Sequence, residues 1–179
     1  MRYQTVWRTG VLALPLLVAG LLVGCGGGST NTSTNSIAHP KKVTSATKCE
    51  SLVSAGAVAT VTGLTATRQT DSASAADCGF DLAGKAGADA GQVTIGLGPN
   101  HAGSNGVATA AQAGGNPAQQ QKLSGLGPGQ YGCALFVTLN DNASLNTLTV
   151  TVLTFQPTPD ACTSAKAVAT NAFDQLPAA

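Results

Sequence analysis

The chain has 179 residues with a formal net charge of +1; only 9% are charged, 43% are hydrophobic and 4% are aromatic. Charged residues make up about a quarter of an average soluble protein, and from Thr47 onward five Lys/Arg stand against eight Asp/Glu, a net of −3. This balance excludes a nucleic-acid binder built on basic patches and stacking platforms, and the scarcity of rings argues against an aromatic-lined sugar groove.

Arg2 and Arg8 give the start of the chain a positive charge, and Val11 to Val23 form an apolar stretch of 13 residues. A membrane-crossing helix needs roughly 18 to 20, so residues 1–24 read as a cleaved signal peptide. The stretch ends Leu22-Val23-Gly24-Cys25, which resembles the bacterial lipobox, where a small residue precedes the cysteine that becomes the new N-terminus. That resemblance implies cleavage between Gly24 and Cys25, a diacylglycerol thioether on Cys25, and a further acyl chain such as palmitate on its amine. The thiol is the nucleophile that takes the lipid, and small neighbours open the backbone to the peptidase. Two or three acyl chains, at about 0.8 kcal/mol per buried CH₂, would hold the protein to the outer face of the cell membrane permanently.

Residues 25–46 continue with GGGSTNTSTNSIAHPKKVTSA, a Gly/Ser/Thr/Asn run too polar to repay ordering, and read as a flexible tether. His39, Lys41 and Lys42 are expected to be solvated there, the two lysines within reach of anionic headgroups. Residues 47–179 suffice for one domain.

Within that domain, Cys49 to about Thr60 predicts a short helix capped by Thr47. Gly79 to Leu82 and Gln92 to Leu97 read as strands, and Ser104 to Lys122, rich in Ala and Gln, as partly helical until Gly114-Gly115-Asn116-Pro117 breaks it. Ala134–Asn140 and Leu145–Phe155 form a hairpin around Asn140-Asp141-Asn142. Thr158-Pro159-Asp160 supplies a cap, a first-turn proline and a first-turn acid. Ala161, Ala165, Val168, Ala169, Ala172, Phe173 and Leu176 then repeat at helical spacing up to Pro177. The expected fold is α+β: an antiparallel sheet with N-terminal and C-terminal helices packed on one face.

Four cysteines, Cys49, Cys78, Cys133 and Cys162, occupy the domain. An even number in an exported domain favours disulfides, and with no CxxC and one domain histidine, His101, no metal site is expected. The hairpin brings Cys133 near residue 154, and Cys162 follows a few residues later at the same end. Cys133–Cys162 is therefore reachable, leaving Cys49–Cys78.

The order of lipobox, Ser/Thr-rich tether, KCESLVSAGAV, ADCGFDL, LSGLGPGQYG, valine-rich hairpin and alanine-rich helix ending DQLP resembles mycobacterial-type actinobacterial envelope lipoproteins bearing a small domain of unknown function. Where such families usually follow the second cysteine with tryptophan, Gly79-Phe80 stands here. The resemblance implies no catalytic residues and no cofactor.

Gly127-Pro128-Gly129-Gln130-Tyr131-Gly132 matches GxGxxG, but a strand should follow it and Pro128 lacks an amide donor, so a glycine turn is expected. His101 lies in a loop composition, without a GxSxG, SxxK or HExxH motif. Asp77 and Asp81 read as solvated charges discouraging strand aggregation. The expectation is a non-enzymatic binding or structural protein with an envelope protein as partner. The alternative is a carrier holding a lipid or other apolar ligand in a cavity between sheet and helices.

Overall fold

A computed structural model describes residues 36–69, 76–104, 106–157 and 159–179. The segments read above as signal peptide (1–24), lipobox (Gly24-Cys25) and the first part of the tether, up to residue 35, lie outside the described residues.

Seven strands form one antiparallel sheet: β1 (Thr65–Arg68), β2 (Asp77–Ala83), β3 (Asp89–Gly98), β4 (Ala108–Ala113), β5 (Asn116–Lys122), β6 (Tyr131–Thr138) and β7 (Thr147–Thr154), in the order β1-β2-β3-β7-β6-β5-β4. Helices α1 (Ala55–Thr62) and α2 (Ala161–Gln175) cover one face. The molecule is thus two antiparallel meanders, β1–β3 and β4–β7, joined by the β3/β7 pair. The α+β expectation, with its helices on one face, holds.

Alternation explains the sheet. Val93, Ile95 and Leu97 of β3 stand opposite Val152, Val150 and Leu148 of β7. The latter stand opposite Cys133, Leu135 and Val137 of β6, and all nine side chains are buried. Period-two burial against a helix layer is what β-branched and Leu residues at alternate positions produce. Onto this face α2 lays Ala165, Ala169 and Ala172, each fully buried, with Val168 and Phe173 between them. Alanines let the helix axis come close, and Phe173 fills the space left toward the β4–β5 turn.

Both disulfides form as expected, with Cα–Cα distances of 5.7 Å for Cys49–Cys78 and 5.0 Å for Cys133–Cys162. The hairpin register sets Cys133 opposite Val152, and Cys162 opens the first turn of α2.

Four local expectations need correction. The N-terminal helix is split: Cys49–Ser51 is a single 3₁₀ turn, and α1 starts only after Ser54, whose hydroxyl accepts from the Ala57 amide. Thr47 is no helix cap; its amide closes a turn on the Thr44 carbonyl. Asp160 itself caps α2, its carboxylate accepting from the Cys162 and Thr163 amides at 3.0 Å. Residues 108–122 are not helical but the β4–β5 hairpin. Gly114 and Gly115, at φ 58° and 79°, supply the two-residue left-handed turn that side-chain-bearing residues resist, and β5 then completes the ladder of β6.

Candidate functional site

The helix-free face of the sheet is only half covered. The β3–β4 connection crosses it, where the Gly103 amide donates to the Gln121 carboxamide at 3.1 Å. Gln121, Ala134 and Phe136 are buried on that face at 1%, 4% and 7% exposure. Beside this covered half, at the end of the sheet where β2 turns into β3, lies an open concavity of about 270 Å³ lined by Asp81, Asp89, Gln92, Gln130, Leu153 and Phe155.

Backbone register builds it. Asp81 stands opposite Gln92, and Gln92 opposite Leu153. Gly91, at φ 130°, forms the floor; a Cβ there would overlap the Leu153 carbonyl, so β3 and β7 meet closely only because this residue is glycine. The Gln69 carboxamide, lying across Gly79, donates to the Asp81 carboxylate at 2.6 Å. Asp89 accepts from the Gly91 amide at 3.1 Å. One wall is apolar. Leu123, Leu126 and Leu153 converge over Gly132, where a Cβ would lie 2.9 Å from each. Phe155, 44% exposed, stands at the rim. Two carboxylates, two carboxamides and an exposed ring can hold a polar ligand edge or a partner's side chains by hydrogen bonds and apolar contact. They include no nucleophile–base pair.

The other candidates are dispersed. His101 is exposed in the β3–β4 connection, where its carbonyl accepts from the Ser104 amide. Among the described residues its ring makes no hydrogen bond. Asp77 and Asp81 do share the helix-free face and are exposed, but β2 is flanked by β1 and is not an edge strand. Four residues apart, they are separated by about 13 Å along the strand, wider than the roughly 9.5 Å limit for a carboxylate pair flanking a glycosidic bond. The GxGxxG stretch is a glycine turn into β6, with the Gly127 amide held by the Gln130 carboxamide and Gly129 at φ 74°. No cluster of three or more metal-ligating side chains occurs among the described residues.

Two further concavities, of about 390 and 470 Å³, lie outside the sheet–helix layer. One is beside Leu64, Lys85 and Gln156, and the other between His39, Lys41, Phe173 and Asp174. The latter borders a feature the sequence reading missed. Residues 38–43, read as tether, are bonded to the domain as a strap. Asn116, fully buried, accepts from the His39 amide at 2.8 Å and donates to the His39 and Thr138 carbonyls at 3.0 and 2.9 Å. The Lys41 amide donates to Leu139 and the Lys42 amide to Pro177, and Lys41 pairs with Ala178 as an antiparallel bridge. Lys41 is not solvated as expected: its ammonium donates to the Leu176 carbonyl at 2.9 Å and sits 4.4 Å from the Phe173 ring centroid. Lys42 and the His39 ring are exposed. No local periodicity announces a strap, because its bonds come from residues 77 and more positions away.

No protein-family model, curated protein or solved structure matches this chain.

Proposed function

We propose that this chain is a lipid-anchored envelope lipoprotein of the actinobacterial kind its motifs resemble, held by acyl chains on Cys25. Its domain binds an envelope partner outside the membrane without performing chemistry. The observation that carries this reading is the pair of buried disulfides downstream of an apolar leader. Disulfides persist in oxidising compartments beyond the cytoplasm, the side to which a leader ending Gly24-Cys25 delivers a protein. The concavity around Asp81, Gln92 and Phe155 is the surface proposed to meet the partner. The packing speaks against the carrier alternative: Phe80, Val93, Leu135, Val150 and Phe173 fill the layer between sheet and helices, and the three concavities described lie elsewhere. Replacing Cys25 with Ala tests the anchor. The variant is expected to lose fatty-acid labelling and to leave the membrane fraction; a Cys25→Ala protein still labelled and still membrane-bound would refute it.

A further inference from the structure

The strap enters the domain at one end of the sheet. There the β4–β5 turn, the β6–β7 loop and the C-terminal end of α2 come together, tied by the His39–Asn116, Lys41–Leu139 and Lys42–Pro177 bonds. The concavity lies toward the opposite end. Gln92 precedes Gly98, the strap-end residue of β3, by six positions, or about 20 Å of strand. The domain is therefore polar in the geometric sense: its chain enters at one end and its open concavity lies toward the other.

Cys25 precedes Ser36 by eleven residues. Whatever their conformation, eleven residues reach at most about 36–40 Å. The strap shortens the free connection from the 22 residues of 25–46 to half that number. To turn the concavity toward a bilayer holding Cys25, the connection would have to run back along a sheet about 33 Å long, close to its full extension.

We infer that the strap end of the domain faces the membrane and that the concavity faces away from it, open to a partner in the aqueous envelope rather than to a lipid headgroup. This rests on the proposal that Cys25 carries the anchor. Charge does not decide the orientation, since Lys41 and Lys42 at the strap end are matched by Asp141 and Asp174; the covalent reach does.

Hydroxyl-radical footprinting of the form beginning at Cys25, bound to phosphatidylcholine vesicles and compared with the unlipidated protein in solution, reads this directly. His39 marks the strap end; Tyr131 and Phe155, 43% and 44% exposed, mark the far end. The expected result is a several-fold drop in His39 oxidation on vesicles with Tyr131 and Phe155 unchanged. Protection of Tyr131 and Phe155 with His39 still reactive would overturn the inference. So would equal reactivity of all three in both states, the mark of a freely tumbling domain. If mass analysis finds no native acyl group on Cys25, the anchor proposal fails by itself. The orientation is then read with a maleimide phospholipid coupled to the Cys25 thiol, the one cysteine outside the two disulfides.

Discussion

At the scale of single residues, the most consequential side chain in the described domain is Phe173. Its ring fills the gap between α2 and the β4–β5 turn, lies under the Lys41 ammonium, and leaves no room for a Cβ at Gly114. It is 2% exposed, so Phe173→Ala removes both transfer energy and packing and is expected to cost about 3–5 kcal/mol. His101→Ala removes an exposed loop ring and is expected to stay within about 0.5 kcal/mol. Thermal melts of the two variants check both figures. A fully folded His101→Ala protein that loses its biological role would contradict the non-enzymatic reading. Phe173 was legible in the sequence as part of an apolar helical stripe. Its contacts with Lys41 and Gly114 were not, because helical spacing reports which face is buried and not which distant segment buries it.

At the scale of elements, legibility followed the strength of local signals. The β6–β7 hairpin was readable from two valine-rich runs around Asn140-Asp141-Asn142, and α2 from its seven-residue apolar repeat. The Cys133–Cys162 bond followed from those two elements by geometry, and Cys49–Cys78 as the pair that remained. The β4–β5 hairpin was misread because Ala and Gln favour helix in isolation, by tenths of a kcal/mol per residue. That preference is small beside the two-residue glycine turn and the pairing that β6 offers across five register positions. The same smallness explains why β1, four residues long, escaped notice. The Cys133–Cys162 bond ties α2 to the central hairpin across 29 residues, and the chain-entropy model values such a link at about 3–4 kcal/mol. A Cys133→Ala/Cys162→Ala protein is expected to lose that much in urea unfolding, with a somewhat steeper dependence on denaturant because the denatured chain without the cross-link exposes more surface. A loss below about 1 kcal/mol would mean that the hairpin and helix are held mainly by Val150, Val152, Ala165 and Ala169.

At the scale of the whole described domain, two meanders share one helix-covered core, and residues 38–43 close the end where the β4–β5 turn and the β6–β7 loop meet. The cysteine pairs were legible in the sequence because they are a countable pattern; the leader and lipobox proposed for residues 1–25 rest on contiguous patterns of their own. The sequence did not locate the concavity. Asp81, Gln92, Gln130 and Leu153 come from four separate segments, and only the β2/β3/β7/β6 register assembles them. The central proposal is that acyl chains on Cys25 hold the domain at the membrane. The measurement that bears most directly on it is the intact mass of the N-terminal peptide of protein purified from its native membrane. The account predicts a peptide beginning at Cys25 and carrying a diacylglyceryl group on its sulfur. A peptide beginning elsewhere, or an unmodified Cys25, would contradict it.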